Sequence, residues 1–332
     1  MEKVIVIFGP TGIGKSKTAV NLAKELNGEI ISCDSMQIYK GLDVGTAKIS
    51  CDEMDGIKHH LIDIIEPSDQ FSVGDYVVLA REKIKDIISR KKVPIIVGGT
   101  GLYINALKNN FDFGNAGKSD EIRKKYEIVL KEKGKDFLYN LLKEKNPSRA
   151  EKIEKNDTKR VIRALEIEEN KKEIVNEKED NYQYIIFGLS AEREKIYDNI
   201  NKRTEKMFND GLIEEVKKLM DSGVKKDAQS MQGIGYKEVI SGLENGNSID
   251  EIKELIKRKT RNYAKRQLTF MRGMKDLIWV DASCATQKIL EVLNECWYKT
   301  IWKKTWNNVW KTWWNCFIQS KKSFESFSRK QS

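Results

Sequence analysis

The eight residues Gly9-Pro10-Thr11-Gly12-Ile13-Gly14-Lys15-Ser16 limit what this chain can fold into more than any other stretch. They fit G-x-x-x-x-G-K-[ST], and their flanks fit as well. Val4-Ile-Val-Ile-Phe8 is an apolar, β-branched run, as expected of a strand buried in a parallel sheet. Residues 17–26 place Ala19, Leu22, Ala23 and Leu26 on one helical face. Strand, glycine loop and helix in that order make a phosphate cradle. Gly9, Gly12 and Gly14 let backbone N–H groups close around an anion. Lys15 adds a mobile positive charge, and the Ser16 hydroxyl is a ligand for Mg2+. The loop predicts a di- or triphosphate with its metal, in the nucleotide-binding manner of ATP-binding proteins, without saying which.

The βα alternation continues beyond it. Glu29-Ile-Ile-Ser-Cys33 predicts a second strand, ending in Asp34-Ser35-Met36-Gln37-Ile38-Tyr39. In a parallel α/β sheet the residues just past the carboxyl ends of the strands line the ligand crevice. Asp34 is therefore expected near the phosphates, either as a functional carboxylate or as a turn former and helix cap; its position leaves both open. A glycine-spaced loop over 40–48 leads to His59-His60-Leu-Ile-Asp63. Adjacent histidines on an extended segment face opposite ways, a poor metal pair, and the expectation is one packed ring and one exposed. Ser72 is placed to cap a helix ending near residue 89. Val93-Pro-Ile-Ile-Val97 predicts another buried strand, followed by Gly98-Gly99-Thr100-Gly101 and a helix from Leu102. The class is α/β, a P-loop-type parallel sheet flanked by helices. That strand ends in Gly-Gly-Thr, not in the acid that P-loop ATPases set behind the metal, which disfavours an ATP motor or switch.

From residue 119 to 178 charged helix formers dominate, with apolar spacing at Ile122, Tyr126, Val129 and Leu130 and again at Phe137, Leu138, Leu141 and Leu142. This predicts a helical lobe inserted after the first half of the sheet. Within it Lys159, Arg160 and Arg163 share one helical flank. Strand texture returns at 184–189, then one long helix is expected over 193–220. Gln232-Gly233-Ile-Gly-Tyr-Lys-Glu238 reads as a glycine-rich turn opening a helix. The stretch 251–275 holds nine Lys/Arg against two acids, interleaved with Tyr263, Gln267, Thr269 and Phe270. Such a basic helix is the best nucleic-acid surface in the sequence. Leu277-Ile-Trp-Val-Asp281 predicts a last strand.

The net charge of +10 is misleading as a whole, because residues 297–332 carry eight Lys/Arg and one acid, Glu325. The same tail holds six of the seven tryptophans. It reads either as a basic amphipathic helix or as sequence outside the fold, and its abrupt change of composition favours the second. Four segments are thus expected: 1–117, the first part of the core; 118–180, the helical insertion; 181–295, the second part of the core; and 296–332, the tail. Five cysteines without C-x-x-C spacing argue against disulfides and structural zinc and for a reducing cytoplasm. No apolar run is long enough for a membrane span or a signal peptide.

Several of these stretches together resemble one family, the tRNA dimethylallyltransferases or tRNA isopentenyl transferases. They are the glycine loop 9–16, then Asp34-Ser-Met-Gln-Ile-Tyr-Lys-Gly-Leu-Asp-Val-Gly-Thr-Ala-Lys48, His59-His-Leu-Ile-Asp63 and Val97-Gly-Gly-Thr-Gly-Leu-Tyr103. Asp157 to Glu166, Gln232 to Glu238 and Tyr263-Ala-Lys-Arg-Gln-Leu-Thr269 complete the set. The resemblance is collinear over about residues 3–295 and does not reach the tail. After Thr269 the chain reads Phe-Met-Arg where the family more often has a tryptophan or an aromatic pair.

The resemblance implies transfer of a dimethylallyl group from dimethylallyl diphosphate to the exocyclic amine of the adenosine 3′ of the anticodon, in tRNAs reading codons that begin with U. It implies Mg2+ as cofactor and the tRNA anticodon stem-loop as partner. Asp34 and Thr100 would be catalytic. Gly9, Pro10, Thr11, Gly12, Ile13, Gly14, Lys15, Ser16 and Arg203 would bind the diphosphate, with Ser16 on the metal. The tRNA contacts implied are Asp34, Ser35, Met36 and Gln37, then Thr100, Arg123, Lys159, Arg160, Val161, Ile162 and Arg163, and finally Gln232, Gly233, Lys265, Arg266 and Gln267. A cytoplasmic monomer without membrane contact is expected. Two competing readings are a small-molecule kinase, which leaves the basic helix unexplained, and an RNA-binding module whose glycine loop is only structural.

Overall fold

A computed structural model describes residues 2–109, 119–170 and 182–295. The predicted tail 296–332 lies outside the described residues, as do 110–118 and 171–181 of the expected insertion and its borders. Six strands form one sheet: β1 (Glu2–Phe8), β2 (Gly28–Cys33), β3 (His59–His60), β4 (Val93–Gly98), β5 (Tyr182–Ser190) and β6 (Leu277–Asp281). Their order is β3-β2-β4-β1-β5-β6, and every pairing is parallel. β1 is central and buried from Val4 to Phe8, as its unbroken apolar run requires. Ile5 and Ile7 pack in a core with Leu22, Ile95, Phe187 and Ile289.

The helices are α1 (Lys15–Glu25), α2 (Cys51–Met54), α3 (Val73–Ser89), α4 (Gly101–Lys108), α5 (Asp120–Lys145), α6 (Pro147–Ala150), α7 (Thr158–Glu169), α8 (Arg193–Asn209), α9 (Leu212–Asp221), α10 (Tyr236–Glu244) and α11 (Ile249–Arg272). One expectation needs correcting. The single helix predicted over 193–220 is two, because Gly211 sits at φ 94 and turns the chain between α8 and α9. Apolar spacing runs on through Met207, Leu212, Val216 and Leu219, all buried, and hides the break in the sequence.

The chain divides into two compact units. The first contains the sheet and, among the described residues, 2–72, 78–103 and 182–295; the second takes 73–77, 104–109 and 119–170. The second unit has its own core of Tyr126, Leu138, Leu142, Val161 and Leu165. Its helix α5 is interrupted at Gly134.

Candidate active site

The glycine loop leaves the carboxyl end of β1 and enters α1 through Gly14, whose left-handed backbone (φ 92) offers no side-chain cap to the first amides of the helix. Those amides are the donors that an anion satisfies at a helix N-terminus. Lys15 is half-buried, and its ammonium donates to the Pro10 carbonyl at 2.8 Å. Burial lowers its pKa to about 8, with the nearby Arg203 cation pushing the same way and Asp34 opposing. Gly9 and Pro10 are buried, and Ile13 turns its side chain into the core. Their contribution to any ligand is therefore through backbone alone.

The loop is held from outside by α11. Gln267, buried, accepts from the Thr11 N–H at 3.0 Å and donates to the Gly99 carbonyl at 2.9 Å. A Cβ on Gly99 would lie 2.2 Å from the Gln267 Nε2, so the end of β4 has to be glycine for this clamp to close. Asn199 on α8 adds a bond to the Gly12 carbonyl at 2.9 Å.

Arg203, also on α8, faces the same loop. Its Nη1 reaches the Thr11 hydroxyl at 3.3 Å and its Nη2 donates to the Thr46 carbonyl at 2.6 Å. Burial lowers its pKa while Asp34 acts to hold the charge. Asp34 stands just past the end of β2, and its two oxygens differ. Oδ1 accepts from the N–H groups of Met36 at 2.9 Å and Gln37 at 3.4 Å, whereas Oδ2 accepts no hydrogen bond from the described residues. One oxygen of Asp34 thus acts as the cap, and the other is left without a hydrogen bond from the described residues. Tyr263 lines the same space, and burial together with Asp34 pushes its hydroxyl up to about 12.

These groups surround one cavity of about 720 Å³. Its walls come from the glycine loop, residues 34–37 after β2, the loop 45–47, the end of β4, α8, the 232–234 turn and α11. Lys15, Ser16, Asp34, Ser35, Met36, Gln37, Arg203, Gln232, Gly233, Arg266 and Gln267 are all brought together on these walls. Thr100 is not on them: the wall stops at Gly99, and the main chain of Thr100 is tied to Cys33. Lys265 is exposed on α11 away from the lining.

Five of the residues implied as tRNA contacts have partners or packing within the protein. Gln267 spends its amide on Thr11 and Gly99, so its role is to shape the loop. Val161 and Ile162 bury their side chains in the core of the helical unit, so any contact of theirs with RNA would be through the backbone. Arg123 bonds the fully buried Glu166 at 2.9 Å, as Arg163 does at 2.8 Å; each keeps about a third of its side chain exposed. Burying that carboxylate without both partners would be costly. Lys159 and Arg160 are exposed, Arg160 beside Asp157. Sequence reasoning assigned no role to Glu215 and Tyr236, which hold the 43–45 loop from α9 and α10.

The family model described as IPP transferase matches residues 37–274. The chain is 47% identical over 302 residues to the tRNA dimethylallyltransferase of Acetivibrio thermocellus, covering 88% of this chain and 96% of that protein. Among solved structures, it is similar to the full-length tRNA isopentenylpyrophosphate transferase of Bacillus halodurans, with 42% identity, a TM-score of 0.68 and coverage of 89% of this chain and 96% of the other. It is also similar to a eukaryotic dimethylallyltransferase solved acting on tRNA, with 31% identity, a TM-score of 0.72 and coverage of 85% and 74%.

Proposed function

The chain belongs to the IPP transferase family, and from that premise we propose how its own residues carry out the transfer. It is a prenyl transferase that puts a dimethylallyl group on tRNA. The donor in our reading is dimethylallyl diphosphate. The acceptor is the exocyclic 6-amino group of the adenosine 3′ of the anticodon, in tRNAs that read codons beginning with U. The observation that carries this reading is one cavity in which Lys15 and Arg203 sit at the glycine-loop end and an uncommitted oxygen of Asp34 faces the same space.

The amine is a poor nucleophile because its lone pair is delocalised into the ring. As its nitrogen bonds to the allylic carbon, the bond from that carbon to the diphosphate oxygen breaks. The nitrogen becomes cationic and must lose a proton. Asp34 Oδ2 accepts it, while Oδ1 stays on the turn and fixes the direction of the carboxylate. Lys15, Arg203 and the loop amides receive the charge that grows on the leaving diphosphate. Thr100, one residue beyond the wall at Gly99, is proposed as a second partner of the amine, a role that requires its side chain to reach past Gly99 into the cavity.

The residues fit Mg2+. Among the described residues no three His, Cys, Asp or Glu converge on a metal site. The Ser16 hydroxyl on the cavity wall suits an ion that takes one or two protein ligands and completes its shell from phosphate and water. When bound there, Mg2+ supplies further neutralisation of the leaving diphosphate.

The target base has to leave the anticodon-loop stack to enter such a cavity. A volume of about 720 Å³ supports room for a base and the donor together. The exposed Arg258, Lys259, Lys265 and Arg266 of α11 and Lys159 and Arg160 of α7 are proposed to hold the stem-loop backbone. No helix among the described residues is long and apolar enough to cross a membrane, and a cytoplasmic location is part of the proposal.

The test is to offer tRNA and Mg2+ with dimethylallyl diphosphate or with ATP, and to digest the tRNA for nucleoside mass spectrometry. A dimethylallyl mass gain on adenosine with the diphosphate donor is expected. Phosphate release from ATP at matching rates would favour the kinase reading instead.

A further inference from the structure

Glu215 takes no part in the mechanism above, yet four donors fill its carboxylate. Oε2 accepts from the N–H groups of Asp43 at 2.9 Å and Val44 at 2.8 Å. Oε1 accepts from the Gly45 N–H at 3.0 Å and the Tyr236 hydroxyl at 2.6 Å. Three consecutive amides curled around one anion form a nest, and here the anion belongs to the chain. The break at Gly211 makes this possible, because it starts a new helix whose first turn carries Glu215 to the loop.

What the nest fixes is the next residue. The Thr46 hydroxyl turns back to the Leu42 carbonyl at 2.6 Å. The Thr46 carbonyl accepts from Arg203 Nη2 at 2.6 Å and from Gln37 Nε2 at 3.4 Å. One carbonyl therefore orients a cation placed on the donor side and an amide placed on the acceptor side of the same cavity.

We infer that Glu215 is a positioning residue: by holding the amides of 43–45 it sets the Thr46 carbonyl, and through it aims Arg203 at the donor diphosphate and Gln37 at the acceptor. This rests on the role given to Arg203 in the proposed function and on the place of Gln37 beside Asp34 on the same cavity wall. Replacing the carboxylate by an amide turns an N–H2 toward donors on one side. The loop then relaxes, and a displacement of about 1 Å at such a clamp costs up to about 100-fold in rate.

The experiment is a double-mutant cycle of Glu215→Gln with Arg203→Ala, reading donor KM, single-turnover rate and melting temperature at a temperature where every variant is folded. Glu215→Gln alone is expected to raise donor KM about 10-fold, and in the Arg203→Ala background the same change is expected to move it less than about twofold. Tyr236→Phe removes one donor of four and keeps the ring, so it provides a milder variant should Glu215→Gln fail to fold. Its expected rise is about two- to threefold, again lost beside Arg203→Ala. Unchanged kinetics with only a lower melting temperature would make Glu215 a mere staple and overturn the inference. So would a Glu215 effect of full size in the Arg203→Ala background. If Arg203→Ala by itself left donor KM unchanged, the role given to Arg203 would fall, and the inference with it.

Discussion

Lys15 and Pro10 are bonded to each other within one loop: the lysine ammonium donates to the proline carbonyl at 2.8 Å. Burial holds this ammonium at a pKa of about 8, far below its ordinary 10.5. The lysine has to be charged to receive a diphosphate. The donor kcat/KM of the free protein is therefore expected to be flat at neutral pH and to fall tenfold per unit above about pH 8. A pH–rate profile for wild type and for Lys15→Arg, which stays charged, checks this. A profile flat to pH 10 in the wild type would remove Lys15 from the binding step.

Asp34→Asn preserves an oxygen for the N–H groups of Met36 and Gln37 and removes the base. Single-turnover transfer is expected to fall by about 10²–10⁴-fold. Melting temperature and donor affinity are expected to stay near wild type, since Asn caps about as well as Asp. A normal rate would leave Asp34 as a cap and nothing more.

Gln267→Leu keeps much of the volume but leaves the Thr11 N–H and the Gly99 carbonyl without their partner. Stability is expected to drop by about 1–3 kcal/mol. Donor KM is expected to rise with it, because the glycine loop loses its outer support. Chemical denaturation and donor titration on one preparation measure both; a lower stability with an unchanged KM would contradict the clamp.

The basic residues of α11 divide into two kinds, and RNA affinity should tell them apart. Lys257 is engaged by Glu205 at 2.6 Å and Glu254 at 2.7 Å, and Lys253 by Glu205 at 3.2 Å. Lys265 and Arg266 are exposed on the same helix, Arg266 also lining the cavity. Alanine at Lys265 or Arg266 is expected to weaken tRNA binding and to reduce the salt slope by about 1 each. Alanine at Lys257 is expected to leave the slope alone. Equal slopes for all three would reject this division.

Glu29 is buried in β2 with Arg90 at 2.5 Å, Lys92 at 2.9 Å and His60 at 2.7 Å. Arg90 first, and Lys92 and His60 after it, hold its carboxyl far below the ordinary 4.5. A depressed acid contributes stability above its unfolded pKa and loses it as the pH falls. Burial also lowers the pKa of His60, although Glu29 opposes this. Stability should therefore decline first below about pH 6.5 and more steeply below about 4.5. Glu29→Ala, which removes the buried acceptor but leaves Arg90 with Asp86 and solvent, is expected to cost about 1–3 kcal/mol near neutrality. Urea melts from pH 3 to 8 decide it.

The parts of the fold that sequence exposes are those where one local pattern has one structural outcome. The apolar runs of β1 and β4 and the glycine loop between β1 and α1 belong to this class, and so does the basic helix that became α11. Other features depend on partners far along the chain. Glu29 looks like an interruption of an apolar run until Arg90 arrives beside it, 61 residues on. Gln267 reads as one polar residue in a basic stretch, but its amide spans to Thr11, 256 residues away. The break at Gly211 is masked because helical apolar spacing continues across it. Val161 and Ile162 lie among basic residues in sequence, and only packing shows that they face inward.

The register of β1 sets a timetable for folding. Its Glu2 pairs with Tyr182 and its Phe8 with Gly188, while its other neighbour, β4, begins at Val93. A central strand made first thus waits for a partner about 180 residues later. At about 5–20 residues per second, a ribosome leaves one edge of that apolar strand open for roughly 10–40 seconds. Pairings of such long sequence separation also close slowly once the chain is complete. The hydrophobic run that anchors the phosphate loop is, during synthesis, the segment most exposed to mispairing, and the yield of folded protein should follow how well it is shielded until β5 emerges.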